Sequence, residues 1–270
     1  MSSPLAPSRI ATSLTCALAL AASISAPVTA QETHTPISVD VGGFYQSLDN
    51  GYGEWRGADV RVSYASPSFS PFLGVSTQMR REGHQENLGV GTYATINQHF
   101  YTIVGVSVAP GGTAVLYPRL RADVALISDT RVVPGLMIAT GFTHLVSNGG
   151  TTGEIVSIGP ILYRGPLVVS GSLRLNHDGV GGANSGSGDV GAQYGAQGRY
   201  WLGGSLGTGR EAYQLLSATP FDVRFTDVGG SLFYQRWLTA KTAATIRFEY
   251  EHKLTAYHRR GISLIWHVER

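Results

Sequence analysis

A few residues in this sequence have the types and spacing that chemistry needs, and each set has an ordinary alternative. Gly203-Gly204-Ser205-Leu206-Gly207 spells a nucleophile elbow, in which a strained strand-to-helix turn exposes a serine. With a histidine as its base, Ser205 and one of His252, His258 or His267 would begin a hydrolase acting on lipid or glycan. No parallel strand-helix-strand pattern surrounds the serine, so the plain reading is a glycine-rich strand with Ser205 facing inward. Gly186-Ser187-Gly188-Asp189-Val190-Gly191 matches the dinucleotide fingerprint letter for letter. That motif works only between a strand and the helix N-terminus that holds the pyrophosphate, and neither context is present.

Glu249 and Glu251 would lie on one face of a strand about 7 Å apart, a spacing compatible with acid and base work. The plain reading is that they offset Arg247 and other inward arginines. The 8 histidines are scattered, and no pair has a spacing typical of a metal site. No cofactor is expected. Arg210 and Glu211, with Gly209 and Tyr213 beside them, sit where the chain leaves a strand for its longest loop. They would either recognise a polar or glycan ligand or form an ion pair that pins the loop.

The elements that must position these residues announce themselves at the N-terminus. Arg9 is the one charged residue of the first thirty, and an apolar run from Ile10 to Ile24 follows it, then Ser25-Ala26-Pro27 and Val28-Thr29-Ala30. A run of about fifteen residues is short for a membrane-spanning helix and has the form of a signal peptide, with cleavage expected after Ala30. Residues 1–30 are therefore a signal peptide and residues 31–270 one domain. The single cysteine, Cys16, falls inside the apolar run, so the exported chain has no disulfide. With 20 Lys and Arg against 18 Asp and Glu there is no broad basic face, which argues against nucleic acid as a partner.

The 35 glycines are close to twice the usual share, and periodicity of 3.6 residues is hard to find after residue 30. Alternation with a period of two is frequent instead. Pro118, Leu120, Ala122, Val124 and Leu126 alternate with Arg119, Arg121 and Asp123. Leu167, Val169, Gly171, Leu173 and Leu175 alternate with Val168, Ser170, Ser172 and Arg174. Ala244, Ile246, Phe248 and Tyr250 alternate with Thr245, Arg247, Glu249 and Glu251, and the last strand sets Ile262, Leu264, Trp266 and Val268 against Gly261, Ser263 and His267.

Segments of this length with one apolar and one polar face suit strands that cross a bilayer as a closed barrel, the one β-architecture that leaves no backbone group unpaired in lipid. Turn signals at Asp49-Asn50-Gly51, 66–70, Gly83, 97–99, Gly111-Gly112, 128–130, 148–150, 164–166, 178–186, 196–198, 207–220, 239–241 and 254–256 divide the chain into fourteen strands, with twelve as the alternative. The fold expected is an all-β, transmembrane, antiparallel up-and-down barrel. Tyr64, Tyr101, Tyr163, Tyr200, Trp201, Trp237 and Trp266 near the short turns, with Tyr45, Tyr52, Trp55, Tyr117 and Tyr257 near the other loops, are expected to form two interfacial girdles.

The segments Leu48–Gly57, Pro118–Asp123, Gly207–Gln214 and Tyr257–Leu264 resemble the YaiO family of outer-membrane β-barrel proteins, and Gly209-Arg210-Glu211-Ala212-Tyr213-Gln214 is the most specific piece. The resemblance implies a fold and a location in the outer membrane of a Gram-negative bacterium, and no established activity. Arg259, Gly261, Leu264 and Trp266 also look like the signal read by the outer-membrane assembly machinery, although the chain ends on Val268-Glu269-Arg270 and not on an aromatic residue. The partners expected are outer-membrane lipid and lipopolysaccharide, the assembly machinery, and a glycan ligand.

Inward, Arg119, Arg121, Asp123, Arg174, Arg247, Glu249 and Glu251 are expected to form a charge network that reaches across the lumen, with gaps at inward serines and glycines. The expected role is structural or a narrow pore, with accessory work in surface polysaccharide traffic within its scope. A lipid- or glycan-directed barrel enzyme is the alternative. A closed barrel stays folded in detergent, so the protein should resist carbonate extraction and run faster on gels unheated than boiled. Full extraction with no heat shift would contradict the barrel.

Overall fold

The computed structural model describes residues 37–111, 113, 117–179, 184–212, 224–253 and 256–270, with the side chains of 210–212 and 224–226 outside the description. The signal peptide expected over 1–30 lies outside these residues. Fourteen strands follow one another: β1 Ile37–Leu48, β2 Gly53–Tyr64, β3 Phe69–Arg80, β4 Gly83–Asn97, β5 Phe100–Val108, β6 Leu120–Asp129, β7 Leu136–Val146, β8 Thr152–Arg164, β9 Leu167–Asp178, β10 Asn184–Ala196, β11 Tyr200–Ala212, β12 Arg224–Trp237, β13 Thr242–Lys253 and β14 Tyr257–Glu269. Each pairs antiparallel with its neighbours in sequence, and β14 pairs with β1 from Ser38↔Glu269 to Leu48↔Arg259, so the sheet is a closed barrel. The last rungs are mutual: Ile37 N–H donates to the Arg270 carbonyl and Arg270 N–H to the Ile37 carbonyl.

Every one of the thirteen expected turns falls at or beside an observed connection, because alternation fixes where strands run and glycine, asparagine and proline fix where they stop. Asn50 and Gly51 take positive φ in the β1–β2 turn, and Gly165 does so in the two-residue turn before β9. One boundary differs. The turn expected to begin at Gly207 is still strand there, since β11 pairs with β12 as far as Ala212↔Arg224. Gly207 and Gly209 serve close packing there: a Cβ on Gly209 would lie 2.3 Å from the Ser187 Cβ.

A twelve-residue strand rising about 3.3 Å per residue and tilted near 40° spans roughly 30 Å, the thickness of a hydrocarbon core. The outer wall suits that core: Val60, Leu73, Val104, Val156, Leu173, Leu206, Leu232 and Leu264 are all exposed. Across β2 to β7 this wall carries an apolar hollow of about 1020 Å³, lined by outward residues such as Val62, Leu73, Val90, Val104, Val124 and Phe142. Connections after even-numbered strands are short and share their end of the barrel with both termini. Those after odd-numbered strands include the longest, 109–119 and 213–223, and define the long-loop end.

Parity corrects the girdle assignment. Tyr64, Phe69, Tyr194, Tyr234 and Trp266 do project outward near the terminal end, and Tyr45 and Tyr250 near the long-loop end. Tyr101, Tyr163, Trp201 and Trp237 instead share the inward parity of their strands, and Trp55 and Tyr257 are buried inside. Closeness to a turn says how deep a residue sits, not which face it occupies.

One substitution made on both faces of β12 tests the assignment. Leu232→Arg places a cation in lipid at roughly 2–4 kcal/mol, whereas Ser231→Arg places it in the lumen beside its register partner Glu249. Urea titration of vesicle-refolded protein, read by the gel shift, should show loss of stability for the first and near-neutrality for the second.

Candidate functional site

Inward residues of the barrel are mostly small or polar, and its charges sit in short-range groups. On β6, Arg121 Nε and Nη2 donate to Asp123 Oδ2 and Oδ1 at 2.7 and 2.8 Å, and Thr143 Oγ1 on β7 donates to Asp123 Oδ1 at 2.6 Å. Arg174 on β9 pairs with Asp189 on β10, and Glu251 on β13 with Arg259 on β14, while Lys253 Nζ lies 3.4 Å from Glu251. Arg247 stacks over the Phe233 ring at 5.6 Å. Arg119 stands apart from the expected network: it precedes β6 in the loop and is exposed.

The expectation that these side chains pair across the lumen is corrected by the geometry. Partners lie on the same or an adjacent strand, because a neighbour about 4.8 Å away is met long before the opposite wall. The exception crosses one strand. Gln46 on β1 donates to Glu249 on β13 at 3.0 Å over Gly261 of the intervening β14. A Cβ on Gly261 would approach Gln46 Cγ to 2.9 Å, so glycine is needed there for packing, whatever else reads it. Of its companions, Arg259 is buried inward, whereas Leu264 and Trp266 project toward lipid.

Arg174, Asp189, Arg247, Glu249, Glu251 and Arg259 line one cavity of about 90 Å³, room for several waters. Four of the residues singled out by alternation thus share a chamber, and Arg121 with Asp123 form a second group on β6. Above the chamber lies a layer that the sequence reading missed. Trp55 and Tyr257, 2% and 1% exposed, meet edge-on at 5.8 Å, and Tyr52 packs on Tyr257 at 4.9 Å. Burial pushes the Tyr52 hydroxyl above its ordinary value. Arg80 lies 3.8 Å over the Trp55 ring, Arg259 5.5 Å from it, and Lys253 5.7 Å from the Tyr257 ring, distances of cation–π contact. The signal was present in parity: 257 is odd on a strand whose even residues Ile262, Leu264 and Trp266 face lipid.

The chemical alternatives fare differently. Ser205 Oγ hydrogen-bonds Ser231 Oγ at 3.0 Å. His252 and His258 stack on the outer wall beside Tyr250, and His267 is held at the terminal end by Asp40, so the geometry brings none of them to Ser205. The dinucleotide-like Gly186–Gly191 stretch is the middle of β10, with no helix after it. Among the described residues no three His, Cys, Asp or Glu side chains converge to hold a metal. Gly209 pairs with Ser187 and Asp227; Arg210 and Glu211 end β11 with side chains undescribed, and Tyr213 lies outside the described residues.

A closed antiparallel barrel with an apolar outer wall and a polar, charge-paired lumen is an outer-membrane β-barrel protein. More closely, the chain belongs to the YaiO family: residues 37–214 match the YaiO membrane beta barrel domain. No curated protein matches it. Similar solved structures include the CymD monoaromatic hydrocarbon channel, at TM-score 0.60 and 7% identity over 88% of this chain and 89% of that one. A bacterial polysaccharide outer membrane secretin gives 0.58 and 8% over 88% and 100%. An outer membrane channel from Pseudomonas putida F1 gives 0.55 and 10% over 90% and 100%. At such identities the likeness is one of fold.

Glu251 and Glu249 separate two kinds of burial. Glu251→Leu removes the carboxylate that Arg259 and Lys253 share in a buried layer and should cost about 3–5 kcal/mol. Glu249→Leu loses the bond from buried Gln46 to the carboxylate and should cost about 1.5–3 kcal/mol. Equal destabilisation in urea would show that the layer does not hold the barrel.

Proposed function

We propose that this protein is a narrow, non-enzymatic channel for hydrophilic solutes, with the long-loop end outside the cell and the termini in the periplasm. The observation that carries the reading is the layer of Trp55, Tyr257, Arg80, Glu251, Lys253 and Arg259, each no more than 6% exposed, at the long-loop end of a barrel of fourteen strands. Fourteen strands about 4.8 Å apart and tilted near 40° enclose a backbone radius of roughly 14 Å, wide enough for a general pore if the interior were clear. The buried layer narrows it.

Lumen chemistry bears on the solute. Ser170, Ser172, Arg174, Ser187, Asp189 and Ser205 offer donors and acceptors without an apolar track, which suits a sugar or other polar solute better than a hydrocarbon. Polysaccharide traffic is consistent with that lining, and a glycan is the ligand class proposed for the Gly209, Arg210, Glu211 and Tyr213 motif. The partners are lipopolysaccharide of the outer leaflet and the assembly machinery, which would read Arg259, Gly261, Leu264 and Trp266. Export depends on the signal peptide over residues 1–30.

In planar bilayers the wild type should conduct weakly, and Trp55→Ala with Tyr257→Ala should raise the steady conductance several-fold. A large wild-type conductance indifferent to both changes would replace the narrow channel with an open pore.

A further inference from the structure

Polar residues ring the outward face of the long-loop end, and in several sectors they meet one another in pairs. His84 faces Glu86 at 3.7 Å, His144 faces Glu154 at 3.9 Å, and His177 Nδ1 meets Asn184 Oδ1 at 2.9 Å. The sector made by β13, β14, β1 and β2 differs. Its outward rim carries Arg260 and Arg56, both exposed, with Tyr250 and Tyr45 beside them and the stacked pair His252 and His258 above. Among the described residues neither arginine is in a salt bridge. The contact of Arg56 is a hydrogen bond from Nη2 to the Met79 thioether, a weak acceptor, at 3.2 Å. The nearby carboxylate, Glu54, takes the Tyr45 hydroxyl.

The register places the two arginines on one patch. Arg260 is opposite Ser47, Ser47 is opposite Glu54, and Arg56 lies two residues further along β2 on the same face. Two strands across and two residues along is about 12 Å between Cα atoms, within which two long side chains can converge on one group. The backbone beneath is rigid. His258 N–H donates to Asp49 Oδ1 at 2.7 Å, Asn50 Nδ2 donates to the Ala256 carbonyl at 2.8 Å, and Asp49 N–H donates to the His258 carbonyl at 3.2 Å, so the β1–β2 and β13–β14 hairpins are cross-bonded.

Below this patch the same wall is Val41, Val60, Phe248, Ile262 and Leu264, all facing acyl chains. The arginines therefore stand at the headgroup level of the leaflet, where a guanidinium fork meets phosphate oxygens and flanking tyrosines pack on sugar. We infer that this sector is a docking site for the phosphate groups of an outer-leaflet glycolipid, with Arg56 and Arg260 as the anchors, Tyr45 and Tyr250 as the flanks, and the His252–His258 pair as ring donors. The inference deepens the lipopolysaccharide partnership proposed above. Binding measured on the purified barrel is independent of which way the barrel faces and of whether it conducts.

The experiment uses the full exported chain in detergent, with diphosphorylated lipid A, dephosphorylated lipid A and inorganic phosphate as probes. Bound lipid is counted by native mass spectrometry, and protection is read as the temperature at which the unheated gel form is lost. Diphosphorylated lipid A should bind the wild type and raise that temperature, and Arg56→Gln with Arg260→Gln should weaken binding at least several-fold. Each single variant should weaken it less, which keeps the test valid if the double variant folds poorly. His84→Gln, in a sector without exposed outward arginines among the described residues, should leave it unchanged. Undiminished binding in all the arginine variants, or equal binding of dephosphorylated lipid A, would overturn the site. Protection by inorganic phosphate as strong as by the lipid at equal concentration would overturn the lipid as its ligand.

Discussion

The backbone closure of β14 onto β1 is the constraint on which the rest of the molecule depends. Inside hydrocarbon an unpaired N–H or C=O costs several kcal/mol, so a strand that crosses a bilayer needs a partner on both sides. Thirteen hairpin pairings leave two open edges, and the pairing of Ser38–Leu48 with Glu269–Arg259 removes both. Once the ring is closed the register is global. A slip of one residue in any strand would turn Leu232 or Leu264 into the lumen and Arg247 or Glu249 into lipid, a cost of several kcal/mol at each charge.

Closure also creates an interior that must be filled from the wall inward, and the glycines take part in that filling. Inward glycines were expected to leave gaps. Instead, Phe44 lies over Gly57, Phe72 over Gly91 and Phe233 over Gly203, each pair directly opposite across two strands, with a would-be Cβ only 2.4–2.6 Å from the ring. In two of these the stack continues, with Arg61 4.2 Å above Phe72 and Arg247 5.6 Å above Phe233. A flat ring on a bare backbone covers the ladder bonds and gives the cation an apolar face to rest on. The glycine excess that first marked the chain as a β-protein therefore has a specific packing use at these positions.

Strand number, pairing order and facing were legible because each depends on local signals that agree: a period of two, polar turn residues, and the length needed to cross a bilayer. Even the split of 187–207 into two strands follows from one short turn at 197–199. What sequence position could not supply was reach. Arg121, Arg174 and Glu249 were identifiable as inward, but whether a long side chain spans the lumen or folds to its neighbour depends on register across strands, which places Asp189 near Arg174 and Gln46 near Glu249 only in three dimensions. Trp55 and Tyr257 were misread for the opposite reason, since depth was taken from the nearby turn while strand parity, already in hand for β14, pointed inward.

That short reach bears on the narrowing proposed for the lumen. Arg121 with Asp123 along β6, Arg174 with Asp189 across β9 and β10, and Arg259 with Glu251 across β14 and β13 are each satisfied at short range against the wall. A side chain held by a partner one strand away is not free to sweep the centre. Bulk lies elsewhere in the lumen: the rings of Trp55 and Tyr257 pack with Leu48 and Ala256 and against Phe44 and Tyr52, with Arg80, Arg259 and Lys253 at cation–π distance. The cations in that layer position aromatic plates, and the narrowing proposed for the lumen is assigned to those plates and not to the charge pairs. On the outer wall the same residue type is placed differently: among the described residues Arg56 and Arg260 form no salt bridge, and their exposed side chains are the anchors of the docking site proposed above.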